Sequence, residues 1–414
     1  VSAFQYRGNT LCVEELPLPA LAQRFGTPCY VYSRAALTAA FHDYDRAFGE
    51  RPHLICYAAK ANSSLAILSV LARLGSGFDI VSGGELKRVA AAGGDPRKTV
   101  FSGVGKSEEE MRLALSLGIL CFNVESHSEL LRLEAVAREG GKRAPVSLRV
   151  NPDVDARTHP YISTGQKENK FGVAFGDALE LYRIARRSAH LEVKGIECHI
   201  GSQLTEVAPL LDAAAKLLKL VDQLASEGIV MQHLDFGGGL GIRYSDEDPP
   251  SPAEWVRALL SLAGERPQKL LIEPGRSLVG NAGALLTRIE YLKHGETRNF
   301  AVVDAAMNDL LRPSLYGGHH EVLPVRRTGQ AAQEYDVVGP VCESADFLAK
   351  GRRLAVSEGD LLAVMSAGAY GMSMSSNYNS RPRVAEVMVD GATPHLIRER
   401  ERIEDLYAGE RPLP

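Results

Sequence analysis

The chain has little imbalance of charge. Its 414 residues carry 47 lysines and arginines against 51 aspartates and glutamates, a formal net charge of -4. That excludes a nucleic-acid binder working through a broad basic face, while a local basic pocket for a small anion stays open. Long apolar runs are also missing: no window approaches the roughly 18 charge-free residues of a membrane-spanning helix, so no membrane contact is expected. The first residues, VSAFQYRGNT, lack the basic region and apolar run of a secretory signal. Cysteine is sparse. The six are Cys12, Cys29, Cys56, Cys121, Cys198 and Cys342, with no C-x-x-C pair and no zinc-ligand spacing to a histidine. A disulfide framework and a zinc module are excluded, and the expectation is reduced, mostly buried thiols in a cytoplasmic protein. Internal repeats and low-complexity tracts are absent.

What is present is an ordinary globular composition, 45% hydrophobic and 24% charged, enough for a large core without staples. At roughly 100–200 residues per domain, the length predicts two or three domains. From residue 50 to residue 275, short apolar runs alternate with longer amphipathic stretches. The runs at 54–59, 78–81, 99–103, 119–123, 146–151, 195–199, 233–236 and 270–273 read as strands covered on both faces. Helical patterns lie between them, at 65–74, 107–117, 126–139, 178–188, 209–226 and 252–263. In the second of these Glu108, Glu109 and Glu110 lead the apolar face, as a helix N-terminus favours. Eight strands alternating with helices over about 250 residues predict a parallel (β/α)8 barrel, with an open doubly wound sheet as the second choice. After residue 275 come short β-like runs at 285–291, 300–303, 335–338, 361–364, 383–389 and 394–398, split by Gly, Pro and Asp turns. They predict a second, mainly β domain, which the β-like segments 4–7 and 11–16 join. The expected division is 27–275 for the barrel and 1–26 with 276–414 for the β domain.

Chemistry in a (β/α)8 barrel gathers where the strands end at the C-terminal face. Here those ends are polar. The first run passes into Ala59-Lys60-Ala61-Asn62. A lysine there projects into the barrel mouth, where burial shifts an amine toward neutrality and makes it a Schiff-base candidate; the ordinary alternative is a lysine on the rim. The second run carries Asp79. The sixth ends at His199, followed by Gly201-Ser202-Gln203. The seventh runs into Gly237-Gly238-Gly239, where bare backbone lets N–H groups approach an anion, and loops after strands 7 and 8 often build a phosphate site. The eighth ends Glu273-Pro274-Gly275-Arg276. Taken singly, His199 fits a core histidine, the three glycines a flexible turn, and Glu273 with Arg276 a structural ion pair. In the β-like half, Cys342-Glu343, Arg312 with Tyr316, and Tyr370 amid small residues are each weak signals alone.

Together the segments are specific. YAAKAN (57–62), FDIVSGGEL (78–86), HPYISTGQKENKFGV (159–173), HIGSQ (199–203), DFGGGLG (235–241), EPGR (273–276), RPSLY (312–316), CES (342–344) and the 367–381 stretch span nearly the whole chain. In this order they resemble the diaminopimelate decarboxylase family, pyridoxal-phosphate-dependent enzymes of the group IV decarboxylases with an alanine-racemase-like barrel. The 159–173 stretch and the Cys-Glu-Ser triplet separate that family from the related ornithine and arginine decarboxylases. The resemblance implies an α/β fold, a (β/α)8 TIM-type barrel that binds pyridoxal 5'-phosphate plus a C-terminal, mainly antiparallel β-barrel domain. It implies decarboxylation of meso-2,6-diaminopimelate to L-lysine and carbon dioxide, the last step of lysine biosynthesis by the diaminopimelate pathway.

The same resemblance implies the residue roles. Lys60 would anchor the cofactor covalently, with Asp79 beside it. His199 would stack on the cofactor ring and Glu273 would face its nitrogen. Ser202, Gly238, Gly239 and the backbone of Gly275 and Arg276 would hold the phosphate, with Tyr370. Arg276, Arg312 and Tyr316 would bind the distal carboxylate of the substrate, Glu343 its distal ammonium, and Tyr370 would line the same site. Cys342 would return a proton to the α-carbon. Cys342 and Glu343 would reach the site from the neighbouring subunit, which implies a homodimer; no metal and no nucleic acid are implied. Ornithine would leave the two arginines without a carboxylate, at about 1–3 kcal/mol each. Glu273 also speaks against a racemase, which tends to place an arginine at the ring nitrogen. A decarboxylase of carboxynorspermidine, ornithine or arginine is one competing reading. A non-catalytic pyridoxal-phosphate carrier is the other, although such proteins are usually a barrel alone.

Overall fold

The computed structural model describes residues 3–155, 158–159, 162–165 and 170–414. Within the 159–173 motif, residues 160–161 and 166–169 lie outside the described residues. The apolar runs of the first half form eight strands: His53–Ala58, Gly77–Ile80, Thr99–Phe101, Cys121–Val124, Ala144–Asn151, Leu191–Glu197, His233–Asp235 and Lys269–Ile272. Each pairs in parallel with the next, and the last pairs with the first. The sheet therefore closes into a (β/α)8 barrel, and the open doubly wound alternative is excluded. Its inner layer includes Leu54, Cys56, Val100, Cys121 and Leu271, all buried.

Helices cover the outside because their apolar stripes have only the sheet to bury against. They include Leu65–Arg73, Glu108–Leu117, His127–Glu139, Phe175–Arg187, Ala208–Ser226 and Pro252–Ala263. The acid-first pattern at residue 108 starts as expected: Ser107 and Glu110 form a reciprocal capping box, and Gly118 ends the helix in the left-handed region at φ 68°. Ser251 and Glu254 repeat the box one helix before the last strand.

Contacts divide the chain into residues 40–242 with 248–277, the barrel, and residues 1–39 with 243–247 and 278–414. The second unit holds a mostly antiparallel sheet. Its strands run in the order Phe347–Leu354, Gln333–Val338, Asn299–Val303, Gly283–His294, Cys29–Ser33, Ala385–Asp390, Thr393–Arg398. Leu361–Val364 pairs with both Gly283–His294 and Val322–Pro324. Asn299–Val303 with Gln333–Val338, and Cys29–Ser33 with Ala385–Asp390, are parallel. Cys29–Ser33 is a short buried run just past residue 27, where the sequence texture starts the barrel; its hydrogen bonds go to the second sheet. Phe4–Arg7, Thr10–Val13 and Leu16–Pro17 form a small sheet of their own in this unit. Leu11 N–H donates to Val325 O at 2.8 Å, and Phe4, Leu11, Val13, Val31 and Leu286 share one core. Among the described residues, no helix is long and apolar enough to cross a membrane, and no group of His, Cys, Asp and Glu could hold a metal ion.

Candidate active site

Lys60 lies in the turn Ala59–Ala61 that ends the first barrel strand. Its Nζ is 2.8 Å from Oδ2 of Asp79, a fully buried carboxylate on the second strand. Neighbouring strand ends add Glu197, Asp235 and Glu273, all buried. Asn123 Nδ2 donates to Glu273 Oε1 at 3.2 Å and to Ser102 Oγ at 3.1 Å. Burial, and then repulsion from Asp235, Asp79 and Glu197, raises the Glu273 carboxyl well above its ordinary range, against the pull of Lys60. Burial likewise raises Glu197 and Asp235. So many carboxyls with few cations repel one another, which pushes Glu273 toward its neutral form. Arg149, buried on the fifth strand, lies 3.3 Å from Glu125 Oε1 and 3.6 Å from Glu197 Oε2.

His199 Nδ1 accepts the N–H of Gly238 at 3.1 Å. That bond puts the imidazole proton on Nε2. Desolvation, then Arg149 and Lys60 nearby, holds its pKa well below the ordinary value, so the ring is neutral. The three glycines are required by close approach. A Cβ on Gly238 would fall 2.1 Å from Glu273 O, and one on Gly239 2.5 Å from Gly201 O. Ser202 Oγ accepts from Arg276 Nη2 at 3.0 Å and Nε at 3.3 Å. Gly275 packs where a Cβ would meet those of Ala58 and Ala61 at 3.1 Å. Lys60, Asp79, His199, Ser202, Gly238, Gly239, Glu273, Gly275 and Arg276 thus all lie at the C-terminal ends of barrel strands or just beyond them.

The other candidates belong to the second unit. Arg312 and Tyr316 stand at the two ends of the short helix Arg312–Tyr316, Arg312 buried and Tyr316 half-buried. Tyr370 is half-buried in a loop, in the left-handed region at φ 55°. Cys342 and Glu343 are exposed on the turn between Gln333–Val338 and Phe347–Leu354. That turn is firmly held: Asp346 accepts Val341 N–H at 2.8 Å and Met307 N–H at 2.7 Å. Asn379 Oδ1 takes the Cys342 N–H at 2.9 Å, and the Tyr378 hydroxyl donates to Glu343 Oε1 at 2.5 Å. Sequence reading assigned no role to Arg149, Asn123, Glu197 or Asp235. The signal for Arg149 and Glu197 was a charge inside an otherwise apolar run. Asn379 left none.

Residues 34–280 match the model of the pyridoxal-dependent decarboxylases, pyridoxal binding domain. The half-buried Lys60, buried Asp79 and Glu273, and the Gly237–Gly239 run all lie at the C-terminal end of the barrel within that matched span. The diaminopimelate decarboxylase of Pseudomonas aeruginosa is 60% identical over 414 residues, covering 100% of both chains. The crystal structure of diaminopimelate decarboxylase from Helicobacter pylori complexed with L-lysine has 45% identity and a TM-score of 0.92, covering 94% of this chain and 98% of that one. That of the M. jannaschii enzyme in co-complex with L-lysine has 36% identity and a TM-score of 0.94, over 99% and 98%. The chain belongs to the diaminopimelate decarboxylase family.

Pyridoxal phosphate fits the residues present. Lys60 offers an amine, Glu273 a carboxyl that burial pushes toward its neutral form, and Gly237 to Gly239 a crevice that any side chain would fill. Among the described residues, Asp79 Oδ1 is buried with no hydrogen-bond partner, one lone pair more than they use.

Proposed function

We propose that the protein catalyses the pyridoxal-phosphate-dependent decarboxylation of meso-2,6-diaminopimelate to L-lysine and carbon dioxide, the last step of lysine biosynthesis by the diaminopimelate pathway. The observation that carries this reading is the Lys60–Asp79 pair at the same strand ends as buried Glu273 and the glycine crevice. When bound, pyridoxal phosphate supplies a conjugated cation that takes up the electron pair left as carbon dioxide departs. Lys60 anchors it, and Asp79 holds or accepts the proton of that amine. Glu273 would face the ring nitrogen and keep it protonated, its Oε1 fixed by Asn123. Neutral His199 would stack on the ring. Gly239, Ser202, Gly275 and the Arg276 backbone, with Tyr370, would hold the phosphate. Gly238 serves chiefly by lacking a side chain, since its N–H goes to His199.

At the far end of the substrate, Arg276, Arg312 and Tyr316 take the carboxylate and Glu343 takes the ammonium, with Tyr370 beside them. The Cys342 thiol returns the proton to the α-carbon: its S–H bond breaks as the C–H bond forms. Cys342 and Glu343, exposed yet firmly held, fit donation to a partner subunit's site, and we assign the protein as a homodimer with shared sites. Its six free thiols, five of them buried, suit the reducing cytoplasm. The test is carbon dioxide release from meso-diaminopimelate, L-lysine, L-ornithine and carboxynorspermidine. Turnover of the first alone is expected; a higher kcat/KM with carboxynorspermidine would replace this reading.

A further inference from the structure

A guanidinium that reads a carboxylate has to be held against the freedom of its own long stem. Around Arg312 the holding is done by residues with no role assigned above. Its Nη1 lies 2.6 Å from Nε2 of His320, and its Cζ sits 4.3 Å from the centroid of the Tyr244 ring. His320 is fully buried, and its Nδ1 is 2.7 Å from Met365 O. A carbonyl oxygen only accepts and a guanidinium only donates. The two contacts therefore fix the imidazole, with the proton on Nδ1 and a lone pair on Nε2 turned to Arg312. Tyr244 meets the His320 ring edge-on, with centroids 5.2 Å apart and planes at 77°. The chain path makes this geometry available. Gly317 closes the short helix in the left-handed region at φ 61°, and a Cβ on Gly318 would lie 3.3 Å from Arg312 Nη2. Two glycines in a row thus let residue 320 return beneath residue 312.

We propose that His320 and Tyr244 are positioning residues for Arg312, and that through it they set the preference for an amino acid with a distal carboxylate over a diamine. This rests on the reading that Arg312 binds that carboxylate. The chemistry of the two supports suits the task. A carboxylate in place of His320 would orient the guanidinium but also neutralise it and compete with the substrate. A neutral imidazole and an aromatic face orient the cation and leave its charge for the ligand.

The test uses holoenzyme and two ligands, L-lysine, which keeps the distal carboxylate, and 1,5-diaminopentane, which lacks it. Calorimetric Kd values are compared for the natural protein, His320→Leu, His320→Gln, Tyr244→Leu and Arg312→Met. His320→Leu and Tyr244→Leu should weaken L-lysine on the order of tenfold, the scale of one well-placed charged hydrogen bond, and leave the diamine and the cofactor's visible absorbance unchanged. His320→Gln, which offers one acceptor and one donor, should recover most of the loss. If Arg312→Met lowers the lysine-to-diamine preference and the His320 and Tyr244 variants do not, the positioning role is overturned. If Arg312→Met leaves that preference unchanged, the carboxylate reading of Arg312 fails instead. Should His320→Leu not fold, an unchanged preference in Tyr244→Leu alone overturns the proposal.

Discussion

At the scale of single residues, the proposed roles separate by what the loss of each side chain should spare. If Lys60 is the anchor, Lys60→Ala should abolish the visible absorbance of the bound cofactor; a persisting band would mean another anchor. Cys342 is exposed, so Cys342→Ala leaves no cavity and should bind cofactor normally. It should lose on the order of 10²–10⁴ in kcat, the usual worth of a placed general acid. Near-full turnover would remove Cys342 as the proton donor. Both residues stand out in the sequence because each sits in a motif. Arg149 and Asn123 do not, because their importance lies in which buried carboxylates they face, and those come from other strands.

Elements constrain each other most where a glycine meets a ring. Gly195 lies on the sixth barrel strand, and a Cβ there would fall 2.1 Å from Nε2 of His233 on the seventh. Burial lowers the His233 pKa to about 4, so the ring packs as a flat neutral wedge, 3.6 Å from Cys121 Sγ. Gly195→Ala should therefore destabilise the barrel by about 3 kcal/mol, the upper range for overpacked cores, read as a lower Tm. Gly176, in the first turn of Phe175–Arg187 with nothing within 4 Å of its Cβ position, is the control. Gly176→Ala should be neutral or stabilising by less than about 1 kcal/mol. Equal loss in both would show that the contact with His233 is not the cause. The strands themselves were legible from their apolar runs. The His233 wedge was not, because its partner residue lies 38 positions earlier in the chain.

The whole molecule expresses the barrel's charge in its pH response. Burial raises Glu197 to about 8, and raises Asp235 and Glu273 as well. An acid whose pKa is raised on folding binds more protons folded than unfolded between its two values, so stability falls as pH rises through that window. His199 and His233, both lowered, act oppositely, but their contribution is complete above about pH 6.5. Apoprotein should therefore lose stability between about pH 6.5 and 8, by at most about 1.4 kcal/mol per pH unit for each carboxyl still titrating. A flat or rising Tm over that range would contradict the protonated cluster. Assembly has its own test. Mixed Lys60→Ala and Cys342→Ala subunits should recover about a quarter of the natural activity if each site takes its thiol from the partner, since random pairing leaves one intact site in every heterodimer. No recovery would place Cys342 in its own subunit's site.

The sequence by itself determined the eight strands and the polar residues at their ends, because apolar periodicity and motif order are local properties of the chain. Only the tertiary structure decided that the eight strands close, that Cys29–Ser33 pairs with Gly283–His294 and Ala385–Asp390, and that His320 turns back under Arg312. It also decided which carboxyls are buried together and so pushed toward their neutral forms. Hydrogen-bond partners and burial are set by groups brought together from distant positions, and a charge in water says nothing of its state until the fold removes the water.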